Sequence, residues 1–223
     1  MRPDQTYIKD IDLKAPILII GGGSLGSAMA GALHRMGFRP DIVDFDSWEA
    51  RNRWNNIWPG KPQSKKASAE EFDGPIEQLL AEGTLKEKEW DIVITATDNL
   101  ESRAVCFNRL KPRQGFLDMR TGAYIAHISL GVNSFEMEAT LPHPGEPVEE
   151  LSCGERGSMA HTMTVAGVAL SRLLNAMNKG FEQEEFQLGF MGNNMTLFQK
   201  KQREIPEPSS DIRDLETAQS QEN

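Results

Sequence analysis

The apolar positions of this chain change rhythm as it proceeds, and each change marks an element. Ala15-Pro-Ile-Leu-Ile-Ile20 is an unbroken apolar run, the pattern of a strand buried on both faces. Gly21-Gly-Gly-Ser-Leu-Gly26 interrupts it. Leu25, Met29, Leu33 and Met36 then recur at helical spacing up to Gly37, which predicts a helix stopped by glycine. Asp41-Ile-Val-Asp44 reads as a second strand and Asp91-Ile-Val-Ile-Thr-Ala96 as another buried one. A helix over about 100–110, halted by Pro112, and an inner strand Gly115-Phe-Leu-Asp118 follow.

Beyond residue 123 the pattern becomes alternating. Residues 124–132 and 135–141 alternate apolar and polar side chains, which predicts an antiparallel hairpin. A long helix over 159–177 carries the stripe Met163, Ala166, Leu170, Leu174 and Met177. Segments 186–190 and 195–198 flank Asn193-Asn194 and predict a second hairpin. Four stretches lack such patterns: a polar arm (1–14), a long loop with two prolines (46–66), a loop at 142–152 and a charged tail (201–223) expected to be disordered and acidic. A short helical stretch is expected at 76–81. The sum is an α/β chain: a Rossmann-like doubly wound, mainly parallel sheet with an antiparallel hairpin extension, in one domain over 15–200.

Composition narrows the function. The 223 residues carry 24 Lys and Arg against 33 Asp and Glu, a net charge of -9, which disfavours nucleic acid as a partner. No apolar stretch approaches the roughly 18 residues of a membrane span, and Met1-Arg2-Pro3-Asp4 does not open a signal peptide. Two cysteines, Cys106 and Cys153, cannot build a four-cysteine zinc site. A soluble, cytoplasmic protein without zinc is the simplest expectation.

Three features carry chemistry. Gly21-x-Gly23-x-x-Gly26 lies between a buried strand and a helix, where glycines let the backbone approach a phosphate at the positive helix end. Asp44 ends the next strand at the spacing of a carboxylate that binds a ribose hydroxyl. Both features also suit an NAD-dependent oxidoreductase. After Asp44-Phe-Asp46, however, the loop holds Glu49, Asn52 and Asn55-Asn56, and Arg51, Arg53, Lys61, Lys65 and Lys66 occur with no acid among them. A triphosphate needs such cations during attack at phosphorus, and a dinucleotide does not. Thr97-Asp98-Asn99 ends the Asp91 strand, where a carboxylate faces the ligand crevice and can hold Mg²⁺. An Asp that merely caps the next helix is the alternative, although Asn99 could supply that cap.

In this order these motifs, with Arg103 and Asn108 completing Thr-Asp-Asn-x-x-x-Arg-x-x-x-x-Asn, resemble the ThiF/MoeB/HesA superfamily of ubiquitin-activating-type adenylating enzymes over roughly residues 15–178. The resemblance implies ATP and Mg²⁺ as cofactors, with Gly21, Gly23, Gly26 and Asp44 on the nucleotide, Asp98 on the metal, and Lys65 or Lys66 on phosphate. Asp46, Asn52, Asn55 and Asn99 fall within the same nucleotide-binding segments. It implies a homodimer that adenylates the C-terminal carboxylate of a small ubiquitin-like or sulfur-carrier protein. Cys153, followed by Gly157 and Gly167, matches the setting of the family's acyl-accepting cysteine. Asp118-Met-Arg120-Thr-Gly122 resembles an Asp-x-Arg-x-Gly stretch of some prokaryotic and phage members. The chain departs from the pattern in three places. Asn55 stands where the family often has a phosphate-assisting Arg, leaving Arg53 or Arg51 to replace it; the zinc-binding Cys-x-x-Cys pairs are absent; and the stretch before the Asp91 strand is short. The first departure keeps open a catalytically weak carrier-binding protein.

Overall fold

The computed structural model describes residues 11–44, 90–98, 100–108, 114–122, 125–132, 137–138, 140–141, 159–191 and 194–199. Seven strands form one sheet: β1 (Ile17–Ile20), β2 (Asp41–Val43), β3 (Ile92–Thr95), β4 (Gly115–Thr121), β5 (Ile125–Gly131), β6 (Glu184–Met191) and β7 (Asn194–Gln199), in the order β2-β1-β3-β4-β5-β6-β7. The first four are parallel, and β5, β6 and β7 each run antiparallel to the strand before. Three helices flank the sheet: α1 (Ser24–Met36), α2 (Leu100–Asn108) and α3 (Met159–Lys179). This is the doubly wound α/β architecture with an antiparallel extension that the hydrophobic pattern predicts.

The apolar runs become β1 and β3 because both faces of the sheet are covered there. Every residue of β1 and β3 is buried. Ile17 and Ile19 face a core built with Leu25, Met29 and Leu33 of α1 and Val165, Ala169 and Leu173 of α3. Leu18 and Ile20 face the opposite core, with Val43, Val93, Cys106, Phe107 and Phe116. Phe107 of α2 meets Phe116 of β4 edge to face, ring centroids 4.9 Å apart. Cys106 is buried there. Helix α1 ends at Gly37 at a φ of 106°, a left-handed position that glycine occupies without strain.

Four expectations are corrected. The hairpin partner of β5 is β4, not segment 135–141; the register runs from Phe116↔Gly131 to Thr121↔Ala126. Strand β4 continues to Thr121, three residues past Asp118, and so occupies that edge. Met137 and Glu138 are helical instead, with Met137 buried over Gly131. The buried face of α3 comprises Thr162, Val165, Ala166, Ala169, Leu173 and Ala176, while Met163 is exposed and Leu170, Leu174 and Met177 pack only partly. Small side chains let the helix axis approach both α1 and the sheet, so bulk does not mark the inner face. The last hairpin pairs Met191↔Asn194, placing its centre one residue before Asn193-Asn194. Finally Ile11, within the polar arm, is buried in the α1/α3 core. The stretches at 46–66, 76–81, 142–152 and 201–223 lie outside the described residues.

Candidate functional site

The strand order changes direction between β1 and β3, since the chain first moves outward to β2 and then returns past β1. Ligands of open α/β sheets bind outside the strand ends at such a point. The glycine loop sits there. Gly21 has a φ of 99°, and a side chain on it would meet the Ala96 carbonyl group at 2.7 Å. A side chain on Gly26 would lie 1.8 Å from the Gly21 carbonyl oxygen. These two glycines pack α1 against the loop and the loop against β3. Gly23 differs: among the described residues nothing lies within 4 Å of the position its Cβ would take. It is the N-cap of α1, without a side-chain cap and without an acid in the first turn. A helix start with neither is an arrangement that suits an anionic group.

Asp44 follows β2 and is 8% exposed. Its Oδ2 accepts a 2.6 Å hydrogen bond from the Gly22 N–H. The carboxylate therefore holds the loop at the middle glycine while standing at the crevice. Gly21 N–H donates to the Val43 carbonyl and Ala96 N–H to the Ile20 carbonyl, both at 2.8 Å, so β1, β2 and β3 enter the site in fixed register. Asp98, just beyond β3, is exposed at the same edge. Among the described residues no three His, Cys, Asp or Glu side chains form a metal-binding group. A Mg²⁺ shared between one carboxylate, nucleotide phosphates and water does not require such a group. The room at Gly23, the uncapped α1 and Asp44 suit the phosphates and ribose of a nucleotide.

Behind Asp98 lies a charged cluster that sequence reasoning assigned no role. Asp118, fully buried in β4, receives hydrogen bonds from Thr95 Oγ1 and Arg103 Nη1 on its Oδ1. Arg103 Nη2 donates to the Thr97 carbonyl. Arg120 Nε stands 2.8 Å from Asp118 Oδ2, within ion-pair range but off the line of a hydrogen bond. Its other nitrogens donate to the Thr140 carbonyl and Oγ1, each at 3.0 Å, and more weakly to Ser129 Oγ at 3.4 Å. Burial pushes the Arg103 pKa below its ordinary value; Asp118 opposes this and Arg120 adds to it. The available signals were Asp118 inside an apolar strand and the Asp118-Met-Arg120-Thr-Gly122 stretch, neither of which carried a role on sequence alone.

Helix α3 begins beside this edge as well. Ser24 Oγ of α1 and Thr162 Oγ1 of α3 lie 3.1 Å apart. The His161 ring packs on Phe190 with centroids 4.3 Å apart, as a packed residue would. The structure thus brings Gly21, Gly23, Gly26, Asp44 and Asp98 to one edge. Asp46, Asn52, Arg53, Asn55, Lys65, Lys66, Asn99 and Cys153 lie outside the described residues.

No family model and no curated protein matches the chain. Solved structures do. PaaA superimposes with a TM-score of 0.56 at 10% identity, over 86% of this chain and 66% of PaaA, so the chain spans about two thirds of that protein's length. The Escherichia coli (E. coli) tRNA N6-threonylcarbamoyladenosine dehydratase TcdA superimposes with a TM-score of 0.52 at 17% identity, over 74% of this chain and 87% of TcdA. At such identities the likeness speaks to fold alone, and it agrees with the Rossmann-like α/β architecture of the sheet. Among the described residues no helix is long and apolar enough to cross a membrane.

Proposed function

We propose that the chain is an adenylating enzyme that binds Mg·ATP at the carboxyl edge of β1, β2 and β3 and activates a carboxylate. The observation that carries the reading is the uncapped start of α1 at Gly23, with no described residue crowding the Gly23 Cβ position and Asp44 fixed to Gly22 beside it. First-turn amides and Gly23 would face the phosphates, Asp44 the ribose, and Asp98 the magnesium-bearing side. The acyl carboxylate would attack the α-phosphorus, forming an acyl-adenylate and releasing pyrophosphate. The favoured acyl donor is the C-terminal tail of a small ubiquitin-like or sulfur-carrier protein, acting on a homodimer. Lys65 or Lys66 would neutralise phosphate charge, and Arg53 would take the place of the Arg that Asn55 replaces.

Cys153 would then accept the acyl group as a thioester, its thiolate displacing AMP. Support comes from α3, whose first turns abut the glycine-loop helix through Ser24 and Thr162; Cys153 precedes that helix. ATP–pyrophosphate exchange, with and without ubiquitin-fold carriers, tests the reading. Carrier-dependent exchange is expected, and nicotinamide-dependent hydride transfer without exchange would reject it. A thiol-sensitive carrier adduct should be absent in Cys153→Ala and retained in Cys106→Ala, with exchange intact in both. An adduct that persists in Cys153→Ala would remove that residue's role.

A further inference from the structure

We propose that Arg103 is a positioning residue that sets the turn carrying Asp98 by clamping the Thr97 carbonyl to Asp118 of β4. Its bearing on Mg·ATP rests on the adenylation reading; the clamp itself does not. Arg103 is 4% exposed and spends its two terminal nitrogens on two different elements: Nη1 on the Asp118 carboxylate and Nη2 on the Thr97 carbonyl. Asp98 is the next residue after Thr97. A planar guanidinium spans two acceptors in a fixed geometry, which an ammonium cannot reproduce. Asp118 is held in turn from a second side by Thr95 Oγ1, one residue before the end of the apolar run that leads into the turn.

The cluster is an expensive way to fill space. Replacing buried ion pairs by apolar side chains is often neutral or stabilising, so stability alone is a weak reason for them. Here the cluster has two limbs with separate destinations. The Arg103 limb ends on Thr97, at the crevice edge. The Arg120 limb ends on Thr140, in the turn after Met137. Only the first limb touches the backbone next to Asp98, so the two arginines make opposite predictions although both hold the same carboxylate.

The experiment compares Arg103→Lys with Arg120→Lys in the full chain. Amide exchange over residues 96–98, measured without ligand, should rise about tenfold in Arg103→Lys and stay near wild type in Arg120→Lys. Calorimetry with Mg·ATP should show Kd raised about 10- to 100-fold in Arg103→Lys, the usual scale for losing a group that orients a metal-side ligand, and little changed in Arg120→Lys. Unchanged exchange at 96–98 in folded Arg103→Lys would overturn the proposal, as would equal losses in the two variants. If the wild type binds no Mg·ATP, the adenylation reading fails while the exchange data still decide the clamp. Should Arg103→Lys not fold, Arg103→Gln combined with Asp118→Asn keeps the cluster's net charge and carries the same expectation. Failure of both to fold would reduce Arg103 to a purely structural part.

Discussion

The two halves of the sheet solve different problems. In the parallel half, β2, β1, β3 and β4 are covered on both faces, by α1 and α3 on one side and α2 on the other. In the antiparallel half, α3 covers one face as far as β6, where Arg172 lies 4.2 Å over the Phe186 ring. Strand β7 is left open, with Met195, Leu197 and Phe198 exposed. In the parallel half the faces are covered, and the candidate site lies at the strand ends. The antiparallel half meets water along a whole edge and needs only alternation to hold its core. Chemistry therefore gathers where the sheet is most completely enclosed.

The largest break in this contrast should come from Phe116→Ala. Its ring is fully buried against Phe107, and its loss should cost about 3–5 kcal/mol in urea unfolding. An effect below about 1 kcal/mol would mean the α2 face is not a close-packed core. Next comes Gly26→Ala, which drives a methyl group into the Gly21 carbonyl oxygen and should cost about 3 kcal/mol or more, because backbone on both sides must move. Unfolding at the wild-type midpoint would show that α1 is free to slide.

The same contrast governs what the sequence made legible. Unbroken apolar runs such as Ile17–Ile20 and Ile92–Thr95 carry one meaning, since only two-sided burial tolerates them, and both strands were placed correctly. Alternation at 135–141 was ambiguous, because seven residues alternating in polarity also fit a segment with a helical turn at Met137 and Glu138 that buries Met137 and Thr140. Of the stripe predicted for α3 only Ala166 is buried; Val165, Ala169, Leu173 and Ala176 complete the inner face, which lies rotated from the bulkier side chains. The glycine loop, Asp44 and Asp98 were legible from spacing, which chain geometry fixes. The pieces of the Arg103–Asp118–Arg120 cluster stood in two sequence motifs, but their meeting was not legible, because it runs through strand pairing across Thr95↔Asp118 that no local period records.

Asp98→Ala sharpens the comparison at the site itself. Asp98 is exposed and outside either core, so the unfolding midpoint should hold while ATP–pyrophosphate exchange falls about 100-fold. A folded variant with unchanged exchange would make Asp98 a helix cap. The smallest effect belongs to the open edge. Leu197→Lys lies on β7, 40% exposed, and should shift stability by less than about 0.5 kcal/mol while raising solubility. A loss comparable to that of Phe116→Ala would show that β7 is buried in the functioning protein.

Calorimetry with Mg·ATP and with NAD, on the wild type and Gly23→Ala, tests the central claim most directly. Gly23 has room for a methyl group within the fold, so Gly23→Ala should unfold within about 1 kcal/mol of wild type. That methyl would stand at the start of α1, where the proposed reading puts the phosphates. Wild type should bind Mg·ATP and not NAD, and Gly23→Ala should lose most of the ATP signal while remaining folded. Tight NAD binding without an ATP signal, or full ATP affinity in Gly23→Ala, would contradict the account.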